Sequence, residues 1–326
     1  MAGVVLSVGI IAVCFAFVLP SVARYGQVWS RIERLSPPWI VVLVLATVAN
    51  IVTFAYPWMV VIPRLTFLAA LRVTQASTAL ITVVPGGAPM GMAISFGMLR
   101  SRNIPTRQAG LGVALTGLWN QLAILLFPLA ALALVVAQGG LPGPLEWAAG
   151  VGVAVAVAVV VPVAVSLASP RHLRFLGERL APLAAFAGRL AGRRPAAWSG
   201  ENLLALRAEA VTLVRERWLA LSLTTLANLL TGYLVLELSL RAVGIGLGEL
   251  SLAESFAAWS LGRLLGSAPI TPGGLGVVEL GLVGMLVGFA GHDSQVVAGV
   301  LIYRFLSLVP TLVLGGIAGL TWKLGS

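Results

Sequence analysis

The sequence predicts an all-α polytopic membrane protein: about six full transmembrane helices plus two helical hairpins tipped by Pro-Gly-Gly, arranged as an inverted repeat. Three observations predict it. Only 10% of the 326 residues are charged and the mean hydropathy is +1.01, whereas a soluble domain carries roughly a quarter charged residues on its surface. Uncharged apolar runs of about 20 residues, the length that crosses about 30 Å of hydrocarbon, recur along the chain. Two further apolar regions are each interrupted near the middle by Pro-Gly-Gly.

Met1 to Pro20 is the first such run. Ser21-Val22-Ala23 resembles a cleavage site, but the preceding segment has no positive charge, so an uncleaved span is expected. Pro38 to Pro63 follows as the second span. Region 66–99 contains Pro85, Gly86 and Gly87, where a lost N–H donor and free dihedrals stop a helix and let the chain reverse. It reads as a hairpin, and spacing leaves open whether it is re-entrant or fully spanning. A third span lies between Arg107 and Glu146, ending near Gln138-Gly139-Gly140, and Trp147 to Ser169 is a fourth. After the Arg-rich segment 170–217 comes Trp218 to Val243, then a second hairpin, 252–290, tipped by Pro272, Gly273 and Gly274, and a last span, Ser294 to Trp322.

One membrane domain, 1–326, accounts for the whole chain, with a first repeat half at 38–137 and a second at 218–322. The tips are 187 residues apart and three spans separate the hairpins. The hairpins therefore open to opposite sides, the parity of an inverted repeat.

Charge sets the orientation. Segment 170–217 holds nine Arg and four Glu, and the turn at Arg100, Arg102 and Arg107 falls on the same face. The positive-inside rule puts that face and both termini in the cytoplasm of a plasma-membrane protein, so much of the formal net charge of +10 is topological. Within 170–217, Leu173, Leu176, Leu180 and Leu183, then Leu203, Leu206, Ala210 and Val214, recur at steps of three and four. These read as amphipathic helices on the anionic inner leaflet, or equally as a connector covering the bundle. The basic residues lack interleaved aromatics, so nucleic acid is not an expected partner. Cys14 is the single thiol and His172 and His292 are far apart, so no metal site is expected; without a Walker-type loop neither ATP nor any other cofactor is implied. The sequence does not fix the oligomeric state and is compatible with a homo-oligomer.

Charges at membrane depth usually face a partner or a water-filled cavity. Arg263, Glu279 and Arg304 stand out, with Arg72 and Glu237 as weaker cases. Arg263 lies nine residues before Pro272 and Glu279 five after Gly274, so they lie about 14 and 8 Å from the tip at about 1.5 Å per residue. Counting from the opposite ends of their helices also brings Glu279 and Arg304 to similar depth, and all three meet near the midplane. One carboxylate between two guanidinium groups leaves about one positive charge, suited to a phosphate or carboxylate headgroup beside the helix N-terminus that follows the tip. The alternative is that Glu279 and Arg304 form only an ion pair locking the bundle. Glu237 and Arg241, four apart, read as a structural pair, and Arg72 as a snorkelling residue. Aligning the tips sets Met92 opposite Glu279 and Gly117 opposite Arg304, so the first half offers only neutral groups such as Thr116, Asn120 and Gln121. Asn50, Gln75 and Asn228 read as interhelical glue more readily than as substrate contacts.

The stretch Thr271-Pro-Gly-Gly-Leu-Gly-Val-Val-Glu279, followed 25 residues later by Arg304 in Leu-Ile-Tyr-Arg-Phe, resembles the signature of the lysylphosphatidylglycerol synthase transmembrane-region family, the flippase-like membrane domain of multiple peptide resistance factor. Val84-Pro-Gly-Gly-Ala to Met98-Leu-Arg100, then Thr116-Gly-Leu-Trp-Asn120, resembles the first-half counterpart in actinobacterial members, and the similarity covers nearly the whole chain. Many members carry an acidic residue soon after the first tip, where this chain has Met92. The resemblance implies a multi-pass plasma-membrane protein that moves or binds an aminoacylated phospholipid or polyprenyl-linked glycolipid; the charges themselves suggest Arg263 and Arg304 on the phosphate and Glu279 as counter-charge. No attached aminoacyl-transferase domain is expected. A non-transporting scaffold for a lipid or cell-wall enzyme is the alternative. A membrane glycosyltransferase ranks lower, since short outer loops offer few catalytic carboxylates, so no enzymatic activity is expected.

Overall fold

The computed structural model describes residues 32–84, 87–137, 200–267, 271–291 and 293–324 and the single positions 30, 154 and 158, with backbone alone at 200–208, 293, 323 and 324. The expected spans Met1 to Pro20 and Trp147 to Ser169, positions 170–199 of the Arg-rich segment, and Pro85 and Gly86 lie outside the described residues.

Among the described residues all regular structure is helical. The α-helices are α1 (Pro37–Thr53), α2 (Tyr56–Val61), α3 (Phe67–Val83), α4 (Ala88–Arg100), α5 (Thr106–Ala137), α6 (Gly200–Ala242), α7 (Leu252–Ser267), α8 (Val277–Ala290) and α9 (Asp293–Leu324), with a 3-10 turn at Pro272–Gly274 between α7 and α8. Five stretches are long and apolar enough to cross a membrane: Pro37–Val61, Thr106–Val135, Glu209–Ala242, Pro272–Ala290 and Ser294–Trp322. Four coincide with expected spans. The fifth takes in the second tip and the helix after it, which sequence spacing assigns to a hairpin.

Local chemistry explains the boundaries. Pro37 and Pro38 open α1, where their missing N–H groups cost nothing. Pro57 cannot donate to the carbonyl of Thr53, so α1 and α2 part at Phe54 and Ala55 within one apolar stretch. Thr66 accepts from the Ala69 N–H at 3.4 Å and caps α3. The expected division at Arg217 and Trp218 is not a break: α6 runs 43 residues straight through it, because no Pro or Gly falls between Glu201 and Thr231. Residues 209–217 therefore extend the same helix that continues into the span. That extension is tied down by Arg107 Nε to Glu209 at 2.7 Å and by Arg217 donating to the Val60 carbonyl at 3.0 Å.

The two hairpins are alike in length, α3 and α4 at 17 and 13 residues against α7 and α8 at 16 and 14. At about 1.5 Å per residue each helical arm is about 20 to 25 Å long, and α8 reaches the 19 residues of a spanning stretch only together with the 3-10 turn ahead of it. Each is followed by a helix of 32 residues, α5 or α9. The halves exchange partners: α9 lies along α3, the first arm of the other hairpin, and α5 lies along α7. Close approach is plainest at Gly315, whose absent Cβ would collide with the Gln75 carbonyl and with Ala79. Two buried clusters result. The larger one, around Trp259, Leu282, Leu286 and Val296 to Val300, belongs mainly to the second half; the other, around Ile62, Val73, Met98 and Leu99, to the first.

Candidate functional site

The second tip is a tight structure with a definite set of bonds. Thr271 is extended, and the Gly274 and Leu275 N–H groups donate to the Thr271 and Pro272 carbonyls at 3.2 and 3.0 Å. Gly273, Gly274 and Gly276 take φ of 57°, 68° and 84°, a region that side chains with a Cβ avoid. A Cβ on Gly273 would lie 2.8 Å from Thr82 Cγ2 and 3.0 Å from the Thr82 carbonyl oxygen. The second tip thus abuts the last turn of α3, where the first hairpin reverses.

Glu279, in the first turn of α8, is 1% exposed and uses both carboxylate oxygens. Oε2 accepts the Gly276 N–H at 2.7 Å and Oε1 accepts from Arg304 Nε at 2.7 Å. Arg304 also donates from Nη2 to the Gly273 carbonyl at 3.2 Å. Carboxylate and guanidinium therefore close a ring through the tip backbone. The helix N-terminus that spacing offers to an anionic ligand is capped here by the protein's own carboxylate. Removing one partner of such a pair leaves an uncompensated charge, which costs about 3–5 kcal/mol.

Arg263 stands apart from this ring. No ion pair joins it to Glu279 among the described residues, and its Nε is buried without a hydrogen-bond partner. Its guanidinium carbon lies 6.0 Å from the ring centre of Trp259, one turn earlier on α7. Trp259 is buried and donates from Nε1 to the Tyr303 hydroxyl at 3.3 Å. The cation–π contact is worth about 0.5–2 kcal/mol, and Arg263 as a whole is half-buried.

The other predicted residues fall elsewhere. Asn120 is half-buried and Gln121 exposed on α5, and no hydrogen bond joins either to Glu279 or Arg304. Met92 and Gly117, the tip-aligned counterparts of Glu279 and Arg304, do meet: a Cβ on Gly117 would lie 3.7 Å from the terminal methyl of Met92. Glu237 and Arg241 pair at 2.7 Å (Oε1 to Nε), and Arg241 further donates to the carbonyls of Ile245, Gly246 and Leu250. Glu237 also accepts from Ser255 Oγ at 2.6 Å and from the Tyr233 hydroxyl at 3.3 Å, so that pair is fully engaged in holding α6 to α7. Asn50 donates to the Asn228 carbonyl and to Thr231, joining α1 to α6, while both polar atoms of Gln75 are buried and unpartnered. Arg72 is half-buried on α3. An apolar crevice lined by Pro128, Leu132, Ala257, Leu261, Met285 and Phe289 opens between α5, α7 and α8.

Sequence reasoning missed Trp259 and Tyr303. A signal was present: Trp259 is four residues before Arg263, on the same helix face, and Tyr303 directly precedes Arg304. Their convergence required knowing that α9 lies against α7 and α8 at this height.

The family model described as the lysylphosphatidylglycerol synthase TM region matches residues 4–315. No curated protein matches the chain.

Proposed function

Since the chain belongs to the lysylphosphatidylglycerol synthase transmembrane-region family, we propose that it is a lipid translocator that receives an anionic or polar lipid headgroup at the site formed by Arg263, Glu279 and Arg304. The observation that carries this reading is charge at membrane depth beside a broken helix: a buried Glu279–Arg304 pair bonded to the tip, and a second arginine left over. Aminoacylated phospholipids and polyprenyl-linked glycolipids are the headgroup classes.

In this reading α3–α4 and α7–α8 are re-entrant hairpins entering from opposite faces of the plasma membrane, with helical arms of 13 to 17 residues. Both termini and the Arg-rich segment lie in the cytoplasm. The exchange of partners between halves is the contact pattern of a two-fold-related pair, and the glycine tips serve as hinges for alternating exposure. Reconstituted vesicles containing headgroup-labelled lipid test the proposal. Folded Glu279→Gln and Arg304→Ala proteins are expected to translocate at least tenfold more slowly than wild type, and wild-type rates in both would refute it.

A second reading has its own support. Glu279 and Arg304 are fully committed to each other and to the tip, as in a scaffold that holds a lipid or cell-wall enzyme without moving lipid. It predicts lower thermal stability in these variants and no translocation even by wild type.

A further inference from the structure

We infer that Arg263 and Tyr303, set around the indole of Trp259, form the part of this site that receives a singly charged phosphate oxyanion, while Glu279 and Arg304 hold the tip beside it. The inference rests on the reading of this region as a headgroup site and divides its labour.

Three features carry it. The carboxylate of Glu279 is spent on both oxygens, by Arg304 Nε and the Gly276 N–H, so it compensates Arg304 and leaves Arg263 with no opposite charge among the described residues. Arg263 is half-buried with its Nε enclosed and unpartnered, and the face of Trp259 alone does not neutralise its charge. Tyr303 is 6% exposed and its hydroxyl accepts from Trp259 Nε1, which leaves its own O–H to be donated to another acceptor. The groups offered around the indole are therefore donors: a planar guanidinium and a phenol. Donors with one net positive charge select an anion carrying one negative charge, and the guanidinium fork fits two oxygens of a phosphate. A phosphodiester headgroup and free dihydrogen phosphate share that chemistry.

Binding to the purified full chain in non-ionic detergent tests the site, with dihexanoyl phosphatidylglycerol as the lipid probe and inorganic phosphate as the soluble one. Arg263→Gln is expected to weaken binding of the lipid probe at least tenfold and Tyr303→Phe about threefold to tenfold, with Arg263→Lys intermediate. Unchanged affinity in Arg263→Gln would overturn the inference. An independent readout needs no ligand: removing a half-buried charge that has no counter-charge raises the thermal midpoint, so Arg263→Met is expected to melt above wild type in ligand-free detergent, and a lower midpoint would also overturn it. Tight binding of inorganic phosphate with none of the lipid would keep the receptor and assign it a soluble ligand. Loss of probe binding in Arg263→Gln alongside a wild-type protein that moves no lipid would uphold the receptor and remove the transport reading. Slowed translocation with probe binding intact would do the reverse.

Discussion

Glu279 illustrates how one residue can be both expected and misjudged. Its depth and its proximity to Arg304 follow from counting residues, but its second bond, to the Gly276 N–H, depends on a φ of 84° that counting does not give. That bond makes the ion pair part of the tip. Glu279→Gln alone is expected to destabilise the protein by about 3–5 kcal/mol, because Arg304 is left buried without its counter-charge. Adding Arg304→Met should recover much of that loss, and a double-mutant cycle of thermal unfolding checks it: strictly additive effects would show that the pair is not coupled. At Gly273 the positive φ and the contact with Thr82 act together. Gly273→Ala is expected to cost about 1–3 kcal/mol from backbone strain alone and to shift the end of α3, measurable as a lower midpoint and faster amide exchange at residues 80–84.

At the level of helices, small residues set how closely elements approach. Gly315 lies directly on the Gln75 carbonyl and Ala79, whereas nothing lies within 4 Å of a Cβ built on Gly316. Gly315→Ala should therefore separate α3 from α9 and cost about 1–3 kcal/mol, as overfilled cores do. Gly316→Ala should leave the melting midpoint unchanged or slightly raised, since Ala is the better helix former. Equal midpoints for the two variants would refute that contact. The sequence marks both glycines identically; only the α3–α9 interface distinguishes them. The same holds for α6, where charge composition suggests a boundary at Trp218 but an unbroken run of helix-compatible residues carries the helix through.

For the molecule as a whole, the signal legible in the sequence is the alternation of spans and Pro-Gly-Gly tips, which yields two halves of the same plan. Met92 and Gly117 occupy the places that Glu279 and Arg304 take in the second half, and they touch as those residues do. The scaffold is repeated while the chemistry is not. Orientation can be checked in intact cells with single cysteines in a Cys14→Ser background. Arg102→Cys, in the turn after α4, should be shielded from an impermeant thiol reagent, and Gly248→Cys, between α6 and α7, should be labelled. Labelling of both from the same side would remove the proposed topology.

By itself the sequence determined the membrane environment, the helical class, the family and which ionisable residues fall within the apolar segments, because hydropathy, helix breakers and scarce ionisable residues are local properties read without knowing neighbours. Tertiary structure decided which of those charges are satisfied. Depth along a helix can be counted, but the rotation and packing of α7, α8 and α9 determine that Glu279 turns to Arg304 and the tip, and that Arg263 is left facing Trp259 and Tyr303. Hydrogen bonds form over about 3 Å, a precision that arises only when helices distant in sequence are packed together.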